Sequence, residues 1–112
     1  MRYLLLIGGE AGVGDGRSSK EICEAADAVA WAAEMTRRGV LVSGEVLQPP
    51  EAARTVRVRA GEVLLADGPF AETKEQIGGV TVIECADLDE AVEVAAAHPV
   101  ARYGMVEVRP LL

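Results

Sequence analysis

The sequence predicts an α+β fold in which two β-α-β units flank an inserted β-hairpin. Apolar residues recur at helical spacing in two segments, and short runs rich in valine, isoleucine and leucine lie before and after each of them. The hairpin is indicated by the strict alternation from Thr55 to Arg59, a turn from Ala60 to Glu62, and an apolar run from Val63 to Ala66. This order of elements is the split βαβ pattern of ferredoxin-like folds.

The first half of the chain contains a predicted strand, helix and strand. Arg2 to Ile7 includes a tyrosine and four branched apolar residues in a row, which is typical of a strand covered on both faces. Ser18 and Glu21 have the spacing of a capping box, so a helix is expected to begin there and to continue to Gly39. Val40 to Ser43 is the second predicted strand.

The second half repeats this pattern after the hairpin. Thr73 and Gln76 fit another capping box, which predicts one helical turn before a central strand from Val80 to Cys85. Asp87 is placed to cap the second long helix, and Met105 to Arg109 alternates as the last strand.

Composition restricts the class of protein. The 112 residues suit one domain, 1–112, and the net charge of −7, from 18 acidic and 11 basic residues, argues against a nucleic-acid partner. No window approaches the roughly 20 apolar residues of a membrane-spanning helix, and the N-terminal run is too short for a signal peptide, so we expect no membrane partner and a cytoplasmic location. Cys23 and Cys85 are expected to be buried thiols rather than a disulfide.

The predicted sheet has helices on only one face, which leaves apolar residues on the other face without cover. Two such sheets packed face to face would cover each other. The sequence therefore predicts a homodimer that encloses an α+β barrel, with each site present twice.

The segment 66–79, ADGPFAETKEQIGG, contains a tightly specified turn followed by a cluster of charge. Gly68 tolerates backbone conformations that other residues avoid, and Pro69 fixes its own φ near −65°, so the turn is expected to be rigid. One interpretation is a connector between strands, in which the Phe70 ring fills the core and the charged side chains are solvated. The other is a pocket rim that holds fixed functional groups: Asp67, Phe70, Glu72 and Lys74.

The segment DGPFAETKEQIGG, together with YLLLI, GVLVSGEVLQPP, TVRVR and VEVRP, closely resembles the DGPF group of the YCII-related protein family over almost the whole chain. The resemblance implies a ferredoxin-like α+β fold, usually a dimeric α+β barrel akin to muconolactone isomerases, with a cleft proposed as a ligand or active site. It implies no settled reaction. Family members often look like genomic neighbours of extracytoplasmic-function sigma factors, which implies a regulatory or stress-linked setting.

The sequence departs from the members of the wider family that look enzymatic, which carry a histidine on the first helix paired with an aspartate. An alignment anchored on residues 40–42 places Asp27 at that helix position. Asp67 and Glu45 remain as carboxylates near strand ends, and Asp67 is the first candidate for a general base. The other ligand-binding candidates are Phe70, Glu72, Lys74, Glu45, Asp27 and Trp31.

Two function classes follow from these residues. The first is a domain that binds a small organic molecule, with cofactor-free proton transfer of the lyase or isomerase type as its chemistry. The second is a non-catalytic regulatory or protein-interaction module. Trp31 lies off the main apolar stripe of the first helix, so it is expected to pack either on a partner subunit or in the cleft.

Two further sequence features carry weaker functional signals. The loop GGEAGVGDGRSS departs from phosphate-binding patterns, with Ala11 and Arg17 where a glycine and a lysine belong, so a flexible lid is the alternative to nucleotide binding. His98 is the single histidine and is expected to cap the end of the second helix as a cation. Without a second histidine or clustered cysteines, no permanent metal site and no cofactor are expected.

Overall fold

The computed structural model describes residues 1–10 and 17–112. The strands are β1 (Arg2–Glu10), β2 (Leu41–Val46), β3 (Arg54–Arg59), β4 (Glu62–Asp67), β5 (Glu75–Glu84) and β6 (Met105–Pro110), and the helices are α1 (Ser19–Glu24), α2 (Ala26–Arg37) and α3 (Leu88–Ala96). Short 3-10 helices cover Pro50–Ala52 and Pro99–Arg102. The antiparallel sheet has the order β2-β5-β1-β6, and β3 pairs with β4 in a separate hairpin. The α+β fold class with ferredoxin-like strand order is therefore confirmed.

The core lies between the helices and one face of the sheet. Tyr3 pairs with Ile83 and Leu5 with Thr81, and cross-strand partners project to the same side, so these four side chains face the helices. Tyr3, Leu5 and Ile83 are almost fully buried. The core cluster comprises Tyr3, Leu5, Trp31, Met35, Val40, Ile83, Cys85, Ala91, Val94 and Ala95.

The first long helix is broken in two, contrary to the prediction of one continuous helix. Its capping box is present, because the Glu21 amide donates to Ser18 Oγ at 3.1 Å and the Ser18 amide donates to Glu21 Oε1 at 3.2 Å. Ala25, however, has an extended backbone, with φ −64° and ψ 148°, and separates α1 from α2. The apolar spacing continues across Ala25, so the pattern of side chains cannot reveal a break of one residue.

The helical turn predicted at Thr73 is wrong, because the chain is already a strand at Glu75. The strand β1 continues past Ile7 to Glu10, and Glu75 pairs with Glu10 across the ladder. This pairing supplies backbone hydrogen bonds that a one-turn helix would have to replace.

The lid and nucleotide-loop interpretations concern a segment of which residues 11–16 lie outside the described part of the chain.

The hairpin of β3 and β4 turns through two residues with positive φ, Ala60 at 51° and Gly61 at 76°, as two-residue hairpin turns commonly require. At its other end Gly68 has a φ of +89°, and its amide donates to the Ala53 carbonyl at 2.8 Å. Thr55 Oγ1 donates to the Gly68 carbonyl, also at 2.8 Å. The turn at residue 68 is therefore held on both sides, in a conformation that favours glycine.

The two cysteines differ in burial. Cys85 is buried, as predicted, whereas Cys23 is exposed, because α1 carries no buried residue; both are free thiols. Within residues 1–10 and 17–112, every helix is too short or too polar to cross a bilayer.

Candidate functional site

A cleft of about 550 Å³ lies between the helix layer and the sheet, where β1 ends and β5 begins. Its volume is in the range of small-molecule sites, about 300–1,000 Å³. It is bounded by the sheet, by α1 and α2, and by the turn between α3 and β6.

The floor of the cleft is a part of the sheet where side chains are missing. Gly79 pairs with Ile7 on the helix-facing side, and a Cβ added at Gly79 would lie 3.4 Å from the Glu45 carbonyl oxygen and 4.0 Å from Ile7 Cβ. A Cβ added at Gly44 would lie 3.3 Å from Thr81 Oγ1. Neither position carries a side chain that could fill the gap below the helices, so the gap is a cavity rather than core.

The roof is formed by α1 and the first half of α2, with small or apolar side chains. Ala28 and Ala32 of α2 leave room over the glycine floor, and Ile22, Cys23 and Val29 also line the cleft. This wall suits the apolar part of a ligand.

Trp31 and His98 close the inner end of the cleft, and each is only 8% exposed. Trp31 Nε1 donates to the Val94 carbonyl at 3.0 Å, and the two rings meet edge to face with centroids 4.7 Å apart. Aromatic rings favour this edge-to-face geometry. Both rings are therefore fixed by their own contacts before any ligand binds.

His98 caps a helix, but not in the way that the sequence predicts. Its Nδ1 accepts the Val100 amide at 3.1 Å, so the ring caps the 3-10 helix that follows rather than the end of α3. Burial lowers the pKa of His98 below its ordinary value, and the Asp27 carboxylate opposes this shift. The expected cationic cap is wrong, because desolvation disfavours the charged ring.

Asp27 lies at the start of α2 and joins that helix to the turn after α3. Its Oδ2 is 3.0 Å from Arg102 Nη2, and its Oδ1 accepts the Ala28 amide at 2.8 Å. Ala28 and His98 both line the cleft, so Asp27 supports the wall behind its inner end.

Glu45 contributes backbone to the cleft wall, but its carboxylate lies elsewhere. Gly44 pairs with Thr81 on the helix-facing side, and Glu45 pairs with Val80, so the Glu45 side chain projects from the opposite face of the sheet. Besides His98 and the backbone of Glu45, the polar residues that line the cleft are Glu10, Arg17, Ser19, Gln48, Gln76, Thr81 and Tyr103.

The residues predicted from the turn lie apart from this cleft. Asp67 ends β4 with an 89% exposed side chain, and its Oδ1 is 3.1 Å from Arg54 Nε. Phe70 is 81% exposed, and Glu72 is also exposed. Lys74 Nζ is 3.4 Å from Glu10 Oε1, which brings Lys74 to the rim. The role of Asp67 as a base and the binding roles of its neighbours stay predictions.

The sequence reasoning missed His98 as part of the cleft and the glycine floor beneath it. The predicted helical turn at Thr73 would end at the pair Gly78-Gly79, although glycine inside a strand often marks a place where another group approaches closely. Gly78 shows this directly, because an added Cβ there would lie 2.5 Å from Ser19 Oγ of α1.

The sequence profile of the YCII-related domain matches residues 1–112. The chain belongs to the YCII-related domain family. This YCII-related domain is also similar to an uncharacterized protein of Rhizobium meliloti (strain 1021), with 52% identity over 69 residues. The aligned region covers 58% of this chain and 54% of that protein, so the chain spans about half the length of the curated relative that it matches. The family that the motifs resemble is thereby confirmed.

Proposed function

We propose that this YCII-related domain, of the DGPF group, binds a small organic molecule in the cleft between its helices and its sheet. The observation that carries the proposal is the cleft itself, which combines an apolar roof, an empty glycine floor and two fixed rings at its inner end. Few polar groups among apolar walls are the usual composition of a small-molecule site. The sequence DGPF at 67–70 supports the assignment to the group.

Cofactor-free proton transfer with a carboxylate base is the chemistry that we propose for this site. In a single chain Asp67 is not among the residues that line the cleft. Its action on a bound molecule therefore requires a second subunit that brings the hairpin to the cleft. Comparison of Asp67→Ala with the wild-type protein, in both ligand binding and turnover, tests this assignment.

Gly79→Val is expected to abolish ligand binding while the domain stays folded. The added side chain points into the cleft beside Ile7 and occupies space that a ligand would need. The measurement is a thermal-shift screen of small carboxylates, phenols and lactones. A ligand at about 100 times its Kd stabilises the native state by about 2.7 kcal/mol, and this gain should disappear in Gly79→Val.

Ala66→Val is the matched control, because Ala66 lies on the exposed hairpin and outside the cleft. It places a valine in a strand, as Gly79→Val does, by adding two methyl groups to the alanine Cβ, and it should retain the stabilisation by ligand. A wild-type protein that no compound stabilises, or a Gly79→Val protein that is stabilised equally, would contradict a ligand site in this cleft.

We also propose that the domain forms a homodimer. On one face of the hairpin Val56 pairs with Leu65 and Val58 with Val63, and these four side chains are 56–67% exposed. Phe70, close to the end of this hairpin, is exposed as well. A contiguous apolar strip of this kind is unusual on a monomer surface and supports an interface with a second copy.

Leu65→Glu is expected to convert the dimer to a monomer. The substitution places a charge in the apolar strip, and two-fold symmetry introduces it twice. We therefore expect the dissociation constant of the dimer to rise at least about 100-fold. Light scattering after size-exclusion chromatography at micromolar concentration measures the mass. Leu64→Glu, on the opposite face of the hairpin, is the control that should remain dimeric.

A protein-interaction module is the second candidate function, and the same exposed strip favours it. A monomeric wild-type protein whose cleft binds none of the compounds would support this alternative, including a link to extracytoplasmic-function sigma factor signalling. A dimeric, ligand-binding protein would support the small-molecule proposal.

A further inference from the structure

His98 lies at the inner end of the cleft with one ring nitrogen already bonded to the backbone. We infer that His98 is a neutral hydrogen-bond donor, which binds an acceptor oxygen of the ligand through its Nε2–H group. The inference rests on the proposed binding function and specifies the chemistry of the ligand that the cleft takes.

The tautomer of the ring follows from the contact with Val100. The Val100 amide donates to Nδ1 at 3.1 Å, so Nδ1 must present a lone pair and cannot carry a proton. A neutral imidazole then carries its proton on Nε2. Among residues 1–10 and 17–112, the Val100 amide is the ring's hydrogen-bond partner. Nε2 is therefore the ring atom through which a ligand in the cleft can bond.

The surroundings keep the ring neutral. Burial is the main cause of the lowered pKa of His98, and Asp27 of α2 opposes it. The Asp27 carboxylate is itself 3.0 Å from the Arg102 guanidinium, on the turn that also carries His98. The other titratable residues that line the cleft are Glu10 of β1, Glu45 of β2, Arg17, Cys23 of α1 and Tyr103, and the Glu45 side chain projects from the opposite face of the sheet.

A fixed Nε2–H donor selects one kind of ligand. It matches a carbonyl, carboxylate or phenolate oxygen and does not match an ammonium group, which has only donors. The indole N–H of Trp31 is occupied by the Val94 carbonyl, so of these two rings His98 is the one whose N–H remains for a ligand. The expected ligand has an apolar body against the roof and an acceptor oxygen at the inner end.

The same geometry argues against His98 as a general base. To accept a proton, Nε2 would need a free lone pair. In a neutral ring the proton would then have to lie on Nδ1. Two N–H groups, of Nδ1 and of Val100, would then face each other at 3.1 Å. Abstraction of a proton from a ligand must therefore fall to another group, which agrees with a carboxylate base.

Nitrogen-15 NMR of the ligand-free protein tests the tautomer without knowledge of the ligand. His98 is the single histidine, so all imidazole signals belong to this ring, and their couplings to the two ring C–H protons distinguish Nδ1 from Nε2. At pH 7 we expect Nε2 to show the chemical shift of a protonated nitrogen and Nδ1 that of an unprotonated one. The pKa of the ring should lie below the ordinary value of histidine. A protonated ring at pH 7, or a proton on Nδ1, would overturn the inference.

A matched pair of variants tests the donor in binding. His98→Asn retains an acceptor oxygen near Nδ1 for the Val100 amide but has no donor at the Nε2 position, whereas His98→Gln can place an amide N–H near that position. The probes are acetophenone and ethylbenzene, which are similar in size and differ in the carbonyl oxygen. We expect His98→Asn to weaken the binding of acetophenone roughly fivefold more than the binding of ethylbenzene, and His98→Gln to recover part of this difference.

The outcomes separate this inference from the proposed function. Failure of the wild-type protein to bind either probe or any compound of the screen would contradict the ligand site itself, and the inference with it. Binding of acetophenone that is equally tight in wild type and His98→Asn, or equal weakening of both probes, would overturn the donor role and leave the ligand site standing.

Discussion

Gly8→Ala is expected to destabilise the domain by about 3 kcal/mol or more, which is among the largest effects of a single methyl group. The Cβ atom would overlap the carbonyl oxygen of Gln76 and lie 2.8 Å from the carbonyl carbon of the same residue. These atoms belong to the backbone of β5, at the irregularity in its pairing with β1 between Ile7 and Gly8. The clash cannot be relieved by rotation of a side chain, so the ladder itself must shift.

Urea denaturation followed by circular dichroism measures this loss, and Gly79→Ala is the control. Gly79 lies on the same pair of strands, but its added Cβ would make a contact of 3.4 Å with the nearest atom, which is ordinary van der Waals distance. We expect Gly79→Ala to change the free energy of unfolding by less than about 1 kcal/mol. Equal stability of Gly8→Ala and wild type would show that the strands approach less closely at this point.

The parts of the fold that the sequence predicts are those with a local cause. Ser18 and Asp87 cap their helices by bonds to residues three positions later, and these bonds need no other part of the chain. The start of β5 has a distant cause, because Glu75 is a strand residue through its pairing with Glu10. Local preference at Thr73 indicated a helical turn, and the pairing with β1 overrode it.

The candidate site is harder to predict for a related physical reason. Side chains that stand out in a sequence, such as Asp67 and Phe70, mark a rigid turn, and the structure places that turn on the hairpin. A cavity is instead defined by side chains that are absent and by layers that fail to meet. A small residue in a sequence does not by itself indicate a cavity. The space left by Gly44, Gly79 and Ala32 exists only after β2, β5 and α2 are assembled.

Trp31→Ala is expected to destabilise the domain by about 3–5 kcal/mol, in the range of buried tryptophans replaced by alanine. The change removes a large side chain that is both part of the core cluster and part of the cleft wall. It also leaves the Val94 carbonyl without the indole donor at 3.0 Å and uncovers the ring of His98. Chemical denaturation gives the loss directly.

Trp31→Phe separates these causes, because it keeps an aromatic ring and removes the N–H donor. Trp31→Phe should reduce the free energy of unfolding by less than Trp31→Ala does. We expect a loss of about 1–3 kcal/mol, from the unsatisfied Val94 carbonyl together with lost packing. Since burial lowers the pKa of His98, access of water through the gap in Trp31→Ala should raise that pKa toward its ordinary value. An unchanged histidine titration in Trp31→Ala would mean that Trp31 does not shield the ring, and that other parts of the wall keep His98 neutral.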